Sequence, residues 1–404
     1  MRVLFLSVSA DLGGAERVLL DAVTALHRLH PSWTLGVVSL AEGPLAGELA
    51  ARGVEVLMRP LPARFAAVGE SSGSTAATVA GLAGSAWALG AYTRSLRAAM
   101  AEWQPAVVHA NGLKAHVLAA WAAPRGAQVV WHMHDYISTR RISSVLLRRY
   151  AHRAAAVVAN SHSVATDVRA VLGDRTRVDV VHNGIDADRF QPVGSTIDLD
   201  AACGLPPALP DTVRAGLVAT YARWKGHETF LRALTHLADR PLRAYVVGGP
   251  VYETSGSQYS RQELEAVARG LGLGDRVGFV PFQRDVAPVY RSLDVVVHAS
   301  TKPEPFGLTI VEAMACGRTV VAGRGGGVEE IVEPEQTGLL HQPGDAGDLA
   351  DQMRRAISDP GLRDRIGDAA ARAARARFSR ERFGAALAGV YVQLQTAHSE
   401  LALA

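Results

Sequence analysis

The sequence is poor in the features that staple, thread or electrostatically anchor a chain. Only two of its 404 residues are cysteine, Cys203 and Cys316, and they lie far apart. That count offers neither a disulfide framework nor a zinc-ligand spacing, and it points to a reducing cytoplasm. Net charge is almost absent: 42 basic against 39 acidic residues leave +3. Bulk charge therefore gives no reason to expect a nucleic-acid partner, and any basic patch must be local. Long apolar runs are lacking too. The opening MRVLFLSV segment runs into a Gly-rich turn and Asp11, so it reads as a first buried strand rather than a signal peptide. The uncharged stretch Ser71 to Thr93 is mostly Ala, Gly, Ser and Thr, and reads as a helix with a loop rather than a membrane span.

What the chain does have is alternation. Hydrophobic residues (48%) and charged residues (20%) are at globular levels, and 39 Gly against 19 Pro suit a fold with many strand-to-helix turns. The length allows two or three domains. Short Val-rich runs occur at Val3 to Val8, Leu35 to Leu40, Val54 to Met58, Ala106 to Ala110, Gln128 to His134, Ala155 to Ser161 and Val178 to Asn183. A second series follows at Gly216 to Tyr221, Ala244 to Gly248, Val277 to Val280, Val295 to Ser300 and Thr319 to Gly323. Each run precedes an amphipathic stretch, the α/β signature of parallel strands buried on both faces. The Pro-rich segment Gln191 to Asp211 has no clear period and reads as a linker. The expected fold is two doubly wound, Rossmann-like domains facing across a cleft: residues 1–192, a linker at 193–212, residues 213–375, and a helical tail at 376–404 that crosses back toward the first domain. Ligand chemistry then belongs in loops at the carboxyl ends of the strands.

Three such loops carry suitable residues. In Pro303-Glu304-Pro305-Phe306-Gly307-Leu308-Thr309, the prolines keep Glu304 extended, and a helix begins with free amides at Gly307, Leu308 and Thr309. Such a terminus holds phosphate. Helical rise puts Glu304 and Glu312 on the order of 10 Å apart, wider than the roughly 5 Å pair of a retaining glycosidase. One elongated ligand, polyol at both ends and pyrophosphate between, fits that spacing. Arg223 and Lys225, after another strand, suit two adjacent phosphates. Gly13 and Gly14 allow backbone approach in the first turn, but no G-x-G-x-x-G dinucleotide fingerprint is present.

His134 beside Asp135 is a site candidate at a strand end, with an ordinary structural histidine as the bland reading. His132 and His134 are expected to project to opposite strand faces and so not to share a metal; no zinc site is expected. The pairs Asp186-Ala187-Asp188 and Asp198-Leu199-Asp200 read as turn or linker residues rather than metal ligands. Arg140, Arg141, Arg148, Arg149 and Arg153 form a local basic run, read either as a solvated face or as a contact for an anionic acceptor or membrane surface.

The segments GGAERV, VVWHMHD, VVANSHSV, VVHNGIDADRF, RWKGHETFLRAL, DVVVHASTKPEPFGLTIVEAMACGRTVVAGRGGGVEEIV and TGLLHQPGD, in this order, resemble the retaining glycosyltransferases of family 4, which have the GT-B fold. The resemblance implies transfer of a sugar from a nucleoside-diphosphate sugar to a glycan, lipid-linked or small-molecule acceptor, with no metal or other cofactor. By it, Glu304 contacts the donor sugar, Glu312 the ribose, and the amides of Phe306, Gly307, Leu308 and Thr309 the pyrophosphate. Arg223 and Lys225 neutralise the diphosphate, Gly13 and Gly14 approach it, Pro281 and Phe282 flank the base, and His134 lies beside the reacting sugar. Many members have Arg where this chain has Thr220, so Arg223 stands as its substitute. The acceptor is expected near Asn111, Lys114, His132, Arg140 and Arg141, in a cytoplasmic protein with peripheral contact to the inner membrane face. Competing readings are an epimerase or phosphorylase on the same fold, or a sugar-nucleotide binder without chemistry.

Overall fold

The Val-rich runs assemble into two all-parallel sheets in the computed structural model, which describes residues 1–62, 65, 86–250 and 256–403. The first sheet contains β1 (Arg2–Ser7), β2 (Thr34–Ser39), β3 (Glu55–Met58), β4 (Val107–Asn111), β5 (Gln128–Met133), β6 (Ala156–Ala159) and β7 (Val178–Val180). Its spatial order is β3-β2-β1-β4-β5-β6-β7. The second contains β8 (Val213–Val218), β9 (Leu242–Gly248), β10 (Val277–Pro281), β11 (Val295–His298), β12 (Thr319–Gly323) and β13 (Leu339–His341), in the order β10-β9-β8-β11-β12-β13. Every pairing in both sheets is parallel. Strands such as β1 and β11 have no exposed core positions, as expected when helices cover both faces of a sheet.

In each sheet the order reverses beside the first strand, at β1/β4 and at β8/β11. The crevice outside the carboxyl ends at such a reversal is where doubly wound sheets bind ligands. The turns delivered there are Gly13-Gly14 and Asn111 in the first sheet, and Arg223 to Lys225 and Ser300 to Glu304 in the second. All twelve anticipated strands are present. β13 was not anticipated: its three residues, Leu339 to His341, are too few for a periodic signal.

The chain packs as two units, Met1–Gly184 together with the chain from Arg380 on, and Ile185–Ser379. The first exchange point therefore precedes the expected linker. Ile185 donates its amide to the Phe378 carbonyl at 2.9 Å, and Ile185 and Phe190 are buried in the second unit's core. Residues 193–212 also pack within that unit. Asp198 caps the helix Leu199–Cys203, accepting from the Ala201 amide, and buried Asp200 accepts from Arg243 at 3.0 Å and Tyr245 at 2.8 Å. Asp186 likewise closes a turn, accepting the amides of Asp188 and Arg189. Asp186 thus closes a turn, whereas Asp198 caps a helix and Asp200 takes side-chain donors within the second unit.

The expected tail, 376–404, is occupied by one helix, Arg380–Leu403, preceded by the helix Pro360–Arg377. Pro360–Arg377 belongs to the second unit, and Arg380–Leu403 lies against Gly14–Leu29 in the first. Gly384 makes the latter contact close: a β-carbon there would sit 2.4 Å from the Ala25 Cβ. Arg380 adds an ion pair to Asp21 at 2.7 Å. The stretch Ser71 to Thr93 lies outside the described residues up to position 85, and helix Ala86–Trp103 includes the rest. No helix among the described residues is long and apolar enough to cross a membrane.

Gly384→Leu should overpack this helix pair and cost about 1–3 kcal/mol. Urea unfolding followed in the N-terminal unit checks it, and an unchanged midpoint would mean that the helices do not meet there.

Candidate active site

In the second unit, two loops are joined at the β8/β11 reversal. Gly226, at φ 75°, closes the Arg223–Lys225 turn so tightly that a β-carbon would lie 1.8 Å from the Ala299 carbonyl oxygen. The Trp224 carbonyl accepts from the Thr301 amide at 2.8 Å and its hydroxyl at 3.2 Å. Lys225 consequently reaches Glu304: Nζ to Oε2 is 2.8 Å, and both side chains are largely buried. The same oxygen faces His298 Nε2 at 2.9 Å and accepts from Ser300 Oγ at 3.1 Å. Behind it, the Glu304 carbonyl accepts the Gly327 amide at 2.8 Å, and a β-carbon on Gly327 would meet the Pro305 carbonyl at 2.7 Å. Burial alone would raise the Glu304 pKa, but the Lys225 charge, then His298, hold it well below the usual carboxylate range.

Helix Leu308–Ala315 starts beside this carboxylate, with Gly307 at φ 114° as its cap and no side chain capping it. Among the described residues, no backbone carbonyl accepts the amides of Gly307, Leu308 or Thr309. Phe306 turns its ring into the core, 5.8 Å from that of Phe378. Glu312 is buried and accepts from Tyr290 OH at 3.0 Å. Pro281 ends β10 and Phe282 follows it, 55% exposed. Arg223 is not gathered with Lys225. Its guanidinium meets Glu263 at 3.2 Å, the Gly256 carbonyl at 3.1 Å and the face of Tyr259, on an exposed flank.

In the first unit, Gly13 caps helix Gly14–Leu29 without a side-chain bond. Glu16 folds over this start: its carboxylate lies 2.8 Å from where a Gly13 β-carbon would be, and burial pushes its pKa up. At the end of β4, Asn111 donates Nδ2 to the Ala15 carbonyl at 3.3 Å, so its Oδ1 is the atom facing His134 Nε2. His134 must therefore carry its proton on Nε2. Burial brings its pKa down to about 4, so at neutral pH the ring is uncharged and Nδ1 holds its lone pair.

The expected opposite placement of His132 and His134 is wrong. Residues two apart in an extended segment share a face, and the two ring centroids are 4.1 Å apart. His132 is buried beside His134 rather than presented at an acceptor surface. Lys114 is the second residue of helix Leu113–Ala122, Arg140 pairs with Asp135 at 3.0 Å, and Arg141 begins the helix Arg141–Tyr150. Sequence reasoning missed His298, Ser300, Glu16 and the orienting work of Asn111. For the first two a signal existed: both sit at the carboxyl end of β11, two apart, just before Glu304.

Two doubly wound sheets, each with loops at its reversal, define a GT-B type α/β protein, and the second carries a lysine-bound carboxylate beside uncapped helix amides. Sequence profiles agree: residues 12–189 match Glycosyltransferase Family 4 and residues 211–373 match Glycosyl transferases group 1. The chain belongs to the family 4 glycosyltransferases. It is 34% identical over 255 residues to a D-inositol 3-phosphate glycosyltransferase of Streptomyces bingchenggensis, an alignment covering 61% of this chain and 54% of the relative. A Mycobacterium protein of the same name is 40% identical over 188 residues, covering 46% of this chain and 40% of the relative. The chain thus spans about half the length of these curated relatives, or less. Among solved structures, HepE of Anabaena in complex with UDP matches with TM-score 0.80 and 28% identity, covering 97% of this chain and all of that one. Sucrose-phosphate synthase of Thermosynechococcus elongatus shares the fold, with TM-score 0.77, 21% identity and 98% and 100% coverage.

Because Glu304 titrates lower folded than unfolded, its stabilisation is present above its ordinary pKa of 4.5 and is lost as pH falls toward the folded value. Lys225→Met should cost about 3–5 kcal/mol near neutrality. The gap to wild type in urea unfolding should narrow between about pH 7 and about pH 3; a constant gap would exclude this pair as its source.

Proposed function

We propose that the protein is a retaining glycosyltransferase that moves a sugar from a nucleoside-diphosphate donor to an acceptor hydroxyl without a metal. The observation that carries this reading is the Lys225–Glu304 pair beside the unbonded amides of Gly307, Leu308 and Thr309. When the anomeric C–O bond to the diphosphate breaks, negative charge grows on the β-phosphate. A lysine and helix-terminal amides are preorganised donors for that charge. Glu304, held at Oε2 by Lys225, His298 and Ser300, is the carboxylate that meets the donor-sugar hydroxyls. Glu312 takes the ribose, and Phe282 offers its exposed face to the base. The new bond forms from the acceptor oxygen to the same face of the anomeric carbon, and the acceptor proton leaves with the diphosphate.

HepE has been crystallised with UDP and with UDP-glucose, and these are the first probes for this chain. Curated relatives named for D-inositol 3-phosphate make that anionic polyol the first acceptor probe. The N-terminal unit receives the acceptor, with His134 at the reacting sugar and Lys114, Arg140 and Arg141 as cations. Helix Arg141–Tyr150 exposes Ile142 and Val145 along with its arginines, which supports peripheral contact with anionic lipid in a cytoplasmic setting.

A thermal-shift panel of nucleoside diphosphates and nucleotide sugars tests donor binding, since a ligand of the folded state raises apparent stability. Product configuration by NMR, with and without chelator, tests retention and metal independence; inversion, or loss of activity on chelation, would overturn that part. Lys225→Ala should lower donor turnover by about two to three orders of magnitude. Glu312→Ala should instead weaken nucleoside-diphosphate binding by calorimetry, and unchanged affinity would remove its ribose role. Co-sedimentation with anionic vesicles at low salt tests the lipid contact, which fails if the protein stays in the supernatant.

A further inference from the structure

Beneath His134 the first unit buries three more histidines, none used by the chemistry above. His109 and His132 sit on neighbouring strands β4 and β5, with His109 Nε2 3.2 Å from His132 Nδ1. On its other side, His109 Nδ1 lies 2.8 Å from the hydroxyl of Tyr391, which comes from the C-terminal helix Arg380–Leu403. His116 Nε2 donates to the His132 carbonyl at 3.0 Å. Tyr391, His109 and His132 are all buried, and His132 Nε2 has no hydrogen-bond partner.

Two proton arrangements satisfy the row. If Tyr391 donates, His109 accepts at Nδ1 and donates from Nε2, His132 accepts at Nδ1, and the only unpaired group is the His132 Nε2–H. If His109 donates to Tyr391 instead, the phenolic hydrogen is stranded as well as His132 Nε2. Unpaired buried polar groups are costly, so the first arrangement wins. Charging the row is disfavoured too: burial brings His109 to about 3 and holds His132 well below its ordinary range.

We propose that Tyr391, His109 and His132 are positioning residues: the hydroxyl from the C-terminal helix locks two imidazoles in their Nε2–H forms and so holds the His132 ring against His134, 4.1 Å away between centroids. The proposal rests on His134 serving the reacting sugar. It gives the C-terminal helix a role in the site beyond packing.

The test is proton–nitrogen correlation spectra of the ¹⁵N-histidine-labelled full chain, with His109→Gln used for assignment. Wild type should show His109 and His132 protonated at Nε2. In Tyr391→Phe the two rings should become tautomer mixtures, and UDP-glucose turnover should fall about tenfold with the UDP dissociation constant unchanged. A wild-type His109 protonated at Nδ1 overturns the proposal, even if the variant proves unstable. So does a Tyr391→Phe protein with wild-type tautomers or wild-type turnover; a purely structural tyrosine would lower only the melting temperature. Absence of turnover in wild type would sink the transfer reading separately, while the tautomers still decide the lock.

Discussion

A lysine and a glutamate removed from water together hold the second unit's loops in place. Neither charge is tolerable alone: taking an ion out of water costs several kcal/mol, and here each is compensated by the other. Lys225 follows β8 and Glu304 follows β11, so their meeting ties together the two strand ends where the sheet order reverses. Gly226 and Gly327 exist to let this happen, since a side chain at either would strike main-chain carbonyl oxygen. The start of helix Leu308–Ala315 is set by the same loop. Its unbonded amides therefore inherit their position from the ion pair.

The first unit repeats the strand order with different chemistry. Where the second concentrates charge, the first buries neutral imidazoles and spends its hydrogen bonds on orientation, with Asn111 reading the first helical turn on one side and His134 on the other. One sheet topology thus offers a charged cradle and an uncharged one.

Much of this was legible beforehand because the signals are local. Val-rich runs separated by amphipathic stretches mark parallel strands at any distance, and Pro-Glu-Pro followed by Gly and a helix marks a phosphate-type terminus. What escaped depends on contacts far apart in sequence or on very short elements. His298 and Ser300 matter only because Lys225 arrives from another loop. Arg223 looked equivalent to Lys225, yet the turn sends its side chain to Glu263 and Tyr259. The unit boundary at Gly184 and Ile185 hides in a segment without periodicity, and is defined by pairing with Phe378, far down the chain. His132 was misjudged for a simpler reason, an error in strand period.

The first unit is also discontinuous in sequence, closed by the helix that begins at Arg380. During synthesis its sheet can form while the surface of helix Gly14–Leu29 near Ala25 still waits for a partner, Gly384, encoded far downstream. The intervening unit must therefore emerge before the first is finished. A fragment ending at Gly184 would lack both that cover and the Tyr391 hydroxyl, so the first unit cut there is not a complete folding unit, whereas the second is continuous from Ile185 to Ser379.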